Sequence, residues 1–166
     1  MKRDLREWMA EHAPAKGTEP LEPVMTIGEA ARITGLSESA LRKYEAAGLI
    51  LFHRSSGNVR VISREDLQRV RLIRTMIKKQ GLNLEGIRRL WSLLPCWELK
   101  GCSAESQATC PVLLGTNQPC WVIHRAEGGC DGDLCRQCPV YRVAAGAIND
   151  MKSLLHEPVR RKTVPA

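Results

Sequence analysis

Apolar residues recur at helical spacing over much of the chain, and Gly, Ser and Pro punctuate the runs. Thr26-Ile27-Gly28-Glu29 sets a hydroxyl and a carboxylate three apart ahead of Ala30, Ala31 and Ile33, the form of a capping box. It predicts a helix from Ile27 to about Thr34, stopped by Gly35. Ser37 is the next N-cap, opening Glu38–Ala47 with Ala40, Leu41 and Tyr44 on one side and Gly48 at the end. Thr34-Gly35-Leu36 joins the two helices into a helix-turn-helix pattern. Leu49–Phe52 and Val59–Ile62 are β-prone runs around His53–Asn58, whose Ser-Gly-Asn is turn chemistry, so a hairpin is expected. Ser63, with Asp66 at the third helical position, caps a longer helix bearing Leu67, Val70, Ile73, Met76 and Ile77, which Gly81 ends. Asn83 opens another with Leu84, Ile87, Leu90, Trp91 and Leu94, up to Pro95. Val140, Val143, Ala144, Ala147, Ile148, Met151, Leu154 and Leu155 predict a later helix of about 18 residues. Near the start, Arg3–His12 reads as a short amphipathic helix with Leu5, Trp8 and Met9 on one face, and Ala13–Pro23 as a linker.

The 166 residues carry a net charge of +7, and that excess is localised. Residues 25–95 hold thirteen basic and six acidic side chains, the footprint expected for an anionic polymer such as nucleic acid. The polar side of Glu38–Ala47 offers Ser39, Arg42 and Lys43 to base edges or phosphates, and Arg54 and Arg60 sit on or beside the hairpin loop. Arg69, Arg71, Arg74, Lys78 and Lys79 read as a solvated helix face.

MTIGEAARITGLSESALRKYEAAGLI and RSSGNVRVISREDLQRVRLIRTMIKKQGLNLEGIRRL resemble the DNA-binding domain of the MerR family of bacterial regulators, over about Met25 to Leu94. The resemblance implies a winged helix-turn-helix that binds promoter DNA as a homodimer, with RNA polymerase at the same promoter. Carried over by position, Arg42 and Tyr44 match the family's L-R-Y-Y-E stretch, and Arg54, Asn58 and Arg60 match its wing. Lys43 departs from the first Tyr of that stretch, and Val59 and Ile62 bring apolar side chains to the wing. The candidate DNA-binding residues are therefore Ser37, Ser39, Arg42, Lys43, Tyr44, Arg54, Asn58 and Arg60.

No cysteine precedes Cys96 and none follows Cys138. The seven are Cys96, Cys102, Cys110, Cys120, Cys130, Cys135 and Cys138, and their neighbours repeat. Pro-Cys-Trp occurs at Cys96 and Cys120, Gly-Cys at Cys102 and Cys130, and Cys-Pro-Val at Cys110 and Cys138, with Cys135 unmatched. Such a segment is poor in large apolar side chains, so a metal that contributes folding energy is the simplest staple. Cys130, Cys135 and Cys138 have the spacing of plant-type iron–sulfur ligands, with Cys120 the nearest fourth. Zinc thiolates and a reversible disulfide are the rival readings. The redox-sensing branch of the MerR family carries a cluster in a tighter C-terminal cysteine motif, so only the idea transfers.

The fold class expected is mainly α: a winged helix-turn-helix domain, a small loop-rich, metal-stapled cysteine module and a C-terminal helix. The boundaries are 1–24 for the arm and linker, 25–95 for the DNA-binding domain and 96–138 for the cysteine module. Residues 139–157 then form a dimerisation helix and 158–166 a basic tail. No apolar run suits a membrane span or a secretory signal, which points to the cytoplasm. No Ser/His/Asp set or Gly-rich phosphate loop supports an enzyme. The function expected is a DNA-binding transcriptional regulator that senses redox state, a metal or a reactive ligand through an iron–sulfur cluster. The alternatives are a non-sensing DNA-binding protein with structural zinc, or a redox carrier fused to a DNA-binding domain.

Overall fold

The computed structural model describes residue 23 and residues 25–115, 117–126 and 132–147. Helix α1 (Ile27–Thr34) starts with the reciprocal bonds expected: the Glu29 N–H donates to Thr26 Oγ1 at 3.3 Å and the Thr26 N–H to Glu29 Oε2 at 2.7 Å. Gly35, at φ 64°, supplies the left-handed residue that ends it. Helix α2 (Glu38–Ala46) begins at Ser37, whose Oγ accepts the Ala40 N–H at 3.1 Å. Strands β1 (Met25–Thr26), β2 (His53–Arg54) and β3 (Arg60–Ile62) form an antiparallel sheet in the order β1-β3-β2, with Met25 opposite Ile62 and Arg54 opposite Arg60.

The hairpin therefore begins later than its β-prone residues suggest, and β1 is an addition that the sequence pattern does not announce. Leu49, Ile50, Leu51 and Phe52 are all buried and belong to no strand. A run that is apolar at every position cannot present one face to water, so it fills the core as an irregular connection from α2 to β2.

Helix α3 (Arg64–Gln80) opens on the Ser63–Asp66 capping box and α4 (Leu84–Ser92) on Asn83, whose Oδ1 accepts the Gly86 N–H at 2.7 Å. The cysteine segment follows as α5 (Cys96–Lys100), α6 (Ala104–Ala108), α7 (Cys120–Ala126), α8 (Gly132–Gln137) and α9 (Pro139–Ala147). It is helical where a loop-rich module was expected. Pro95 and Pro119 directly precede α5 and α7, where a fixed φ suits a helix start and a missing N–H costs nothing.

These short helices carry too few apolar side chains to enclose a core of their own, and they dock on the first half. Leu41, Leu49, Ile73 and Trp91 share one hydrophobic core with Leu99, Trp121, Tyr141 and Val143. Burial of each large apolar side chain contributes about 2 kcal/mol. One hydrophobic core thus takes in residues from both sides of residue 95. Helix α9 lies against α3, α5 and α8, with Val140, Tyr141, Val143 and Ala144 buried. The part of the expected dimerisation helix that is described therefore spends its apolar face inside its own chain. Residues 148–157, the amphipathic stretch Arg3–His12, the linker up to residue 22 and the tail 158–166 lie outside the described residues.

Candidate functional site

Two sites emerge, one basic and one thiol-lined. On α2, Leu41 and Tyr44 turn into the core, which leaves Ser39, Arg42 and Lys43 exposed along one edge. Arg42 pairs with Glu38 at 2.8 Å, but with both side chains about half exposed the pair is weak and leaves the guanidinium free to exchange partners. The wing between β2 and β3 is pinned by the Asn58 N–H to the Ser55 carbonyl at 2.8 Å and the Val59 N–H to Ser55 Oγ at 3.2 Å. Arg54 is exposed there and donates to the Asn58 carbonyl at 3.2 Å.

Four of the residues expected to touch DNA have structural tasks. Ser37 caps α2. Tyr44 is only 6% exposed, and its burial pushes the phenol pKa up. Asn58, at φ 58°, turns the wing. Arg60 donates to Glu45 at 2.7 Å in a half-buried ion pair that ties the wing to α2.

The five-residue stretch between α2 and the wing is held from the cysteine-bearing half. Trp121 Nε1 donates to the Gly48 carbonyl at 2.8 Å, Arg136 Nη1 to the Phe52 carbonyl at 3.0 Å, and the Leu51 N–H to the Tyr141 hydroxyl at 3.0 Å. Arg69 Nε completes the set on the Leu49 carbonyl at 2.7 Å. A buried backbone group without a partner costs about 1–3 kcal/mol, so these four bonds fix the path of the stretch. Trp121 and Arg136 each adjoin a cysteine, Cys120 and Cys135, and Tyr141 lies one helical turn beyond Cys138.

Arg69 is the residue that sequence reasoning misplaced. It is 4% exposed rather than solvated, and Trp91, Trp121 and Tyr141 surround its guanidinium with ring centres at 4.2, 5.4 and 3.9 Å. Burial pulls its pKa down from the usual arginine value, opposed by Tyr141, Asp66 and Glu65. The cation is retained because the ring faces and two carbonyls replace water. Its neighbour Arg74 bonds the Thr34 carbonyl, while Arg71, Lys78 and Lys79 are exposed as expected.

All six described cysteines, Cys96, Cys102, Cys110, Cys120, Cys135 and Cys138, line one cavity of about 470 Å³. Cys130 lies outside the described residues. His124 and Lys100 share the wall, and Trp121 and Tyr141 form a side whose other surface covers Arg69. The Cys120 thiol donates to Cys96, which together with the Trp97 backbone and Lys100 lowers the Cys96 pKa to about 7. Giving up that bond, with burial and the other thiols nearby, pushes Cys120 up. Among the described residues no three His, Cys, Asp or Glu side chains converge closely enough to hold a single ion. One tetrahedral zinc needs four donors within about 2.3 Å of a point.

A capped helix pair, an exposed basic edge and a wing braced against it define a winged helix-turn-helix, a nucleic-acid-binding fold. Residues 25–94 match the MerR HTH family regulatory proteins. A candidate heat shock protein HspR of Streptomyces coelicolor is 35% identical over 71 residues, 43% of this chain and 47% of that protein. An HTH-type transcriptional activator SoxR homologue of Chromobacterium violaceum is 39% identical over 74 residues, 45% of this chain and 49% of that protein. The chain spans about half the length of these curated relatives. No solved structure matches it significantly. Among the described residues no helix is long and apolar enough to cross a membrane.

Proposed function

We propose that the protein is a transcriptional regulator that binds double-stranded promoter DNA as a homodimer and senses redox state or a metal at the thiol-lined cavity, through an iron–sulfur cluster. The observation that carries this reading is the set of bonds from Trp121, Arg136 and Tyr141 to residues 48–52. They connect the cysteine-bearing helices to the stretch that joins α2 to the wing. RNA polymerase as a partner and the dimer rest on the family resemblance. A cytoplasmic location accords with such a role.

Ser39, Arg42, Lys43 and Arg54 serve as the DNA-facing side chains, with phosphate contacts supplying affinity and base contacts specificity. Arg60 and Glu45 keep wing and α2 at a fixed angle. What supports a cluster is that the cavity's donors are thiols, that it has room for more than one metal atom, and that Lys100 lines it. When bound, an iron–sulfur cluster supplies a one-electron change of charge. The protein's share is transmission. Cysteines on α7 and α8 and just before α9 hold Trp121, Arg136 and Tyr141 in place, and these hold residues 48–52. Release of the anchors frees the stretch and with it the spacing of α2 and wing.

Anaerobic purification followed by DNA titration tests this reading. Coloured protein containing iron and sulfide, whose promoter affinity or DNA distortion changes on oxidation, supports it. Colourless protein with bound zinc and DNA binding indifferent to oxidants favours the structural-zinc alternative.

A further inference from the structure

We infer that helix α4 carries the contact between two copies of this chain, its outer groove packing antiparallel against the same groove of a second copy. The inference rests on the homodimer proposed above and names the surface that forms it. The described part of α9 turns Val140, Val143 and Ala144 into its own core, so those side chains are not offered to a partner. Helix α4 differs. Leu82, Gly86, Arg89, Leu90 and Leu93 line an open groove of about 360 Å³. Leu93 is 61% exposed there, and Leu82 and Leu90 are half-buried. An apolar strip rimmed by charge marks a protein-contact surface.

The strip is complementary to itself. Positions 82, 86, 90 and 93 lie three or four apart, so they follow one face. A two-fold rotation about an axis midway between Gly86 and Leu90 reverses their order. Leu93 then meets the partner's Leu82, and Leu90 fills the gap that the partner's Gly86 leaves for want of a Cβ. That gap is free within the chain. Among the described residues, a Cβ at Gly86 would come within 4 Å only of Asn83 and Leu82 of its own turn. Reciprocal contacts of this kind define an isologous two-fold interface.

The charges reverse in the same way. Glu85 stands at one end of the strip, with Arg88 and Arg89 toward the other. Within the chain Glu85 accepts from Arg89 at 2.9 Å and also from Arg88. The Glu85 and Arg89 side chains are 45% and 61% exposed, so their pair is weak and free to exchange partners. Across the two-fold axis Arg89 comes beside the partner's Glu85, and Glu85 beside the partner's Arg89. A uniformly acidic or basic partner would oppose one end of the strip, whereas a second copy satisfies both.

The test is sedimentation of the full chain without DNA, wild type beside L93E, E85R and R89E. All three positions are exposed, so each variant should keep the wild-type circular dichroism and melting temperature. Wild type should dimerise, and each variant should raise the dimer dissociation constant at least about tenfold. An equimolar mixture of E85R and R89E should dimerise again, because an arginine-rich strip then faces a glutamate-rich one. Dimers that persist in L93E, or in both charge variants, overturn the α4 contact and leave the homodimer reading standing. That is the outcome if the groove takes another protein or another segment of this chain. A mixture that stays monomeric overturns the antiparallel pairing. Wild-type protein that is monomeric at every concentration overturns the homodimer reading, and the α4 contact with it.

Discussion

The guanidinium of Arg69 lies 3.9 Å from the centre of the Tyr141 ring and donates to that residue's carbonyl at 2.6 Å. A single cation on α3 thus grips α9 by face and backbone while its Nε holds the Leu49 carbonyl. Replacing it with Met keeps much of the volume but strands two carbonyls. R69M should lose about 3 kcal/mol of stability, and R69K less, since an ammonium can still reach one carbonyl. Urea unfolding of the full chain measures this, and an unchanged midpoint would show that the cage contributes nothing.

At Gly48 a Cβ would stand 2.5 Å from Val122 Cγ2, and the backbone is at φ 72°. Both the left-handed conformation and the close approach of α7 require glycine. G48A should cost about 2 kcal/mol and weaken DNA binding, because residues 48–52 set the spacing between α2 and the wing. Thermal unfolding beside a DNA titration checks both halves of the expectation.

Lys43 and Arg42 sit on the exposed edge of α2 and neither is buried. K43A should lower affinity for all sequences alike and reduce the salt slope of binding by about 1, with stability unaltered. R42A should weaken binding without changing metal content. Fluorescence anisotropy at several salt concentrations decides. A slope identical to wild type for K43A would remove Lys43 from the interface.

The Cys120 thiol donates to Cys96 and, more than any other group, pulls the Cys96 pKa down from the ordinary thiol value to about 7. A depressed folded pKa stabilises the fold as pH rises from about 7 towards the unfolded thiol's value, about 8.5. The same contribution is lost as pH falls through 7. The stability of metal-free protein should therefore climb with pH over that window, and C120A should flatten the climb by raising the Cys96 pKa. Iodoacetamide labelling of Cys96 against pH gives the midpoint directly.

What was legible in the chain was what neighbours decide. Thr26 with Glu29 and Ser63 with Asp66 are three apart, so their capping boxes could be read and are present. The connection at 49–52 was misread as a strand because the groups that satisfy it come from residues 20 to 90 positions away. Arg69 had a signal that its charge masked. It falls on the stripe of Asp66, Val70, Ile73 and Met76, all buried. Its three rings come from α4, α7 and α9, which no local pattern unites. The cysteines were legible as a set, while the approach of Cys96 to Cys120 was not, since grouping by spacing favours near neighbours.

The indole of Trp121 on the Gly48 carbonyl has a consequence for how the gene can be cut. A fragment ending near residue 95 would leave the Gly48, Leu51 and Phe52 backbone without the side chains that satisfy it, and would open Trp91 and Arg69 to water. Grafting this DNA-reading half onto another partner should then yield an aggregating or molten product. Transplantation would succeed only where the recipient brings its own indole, phenol and guanidinium to the same three places.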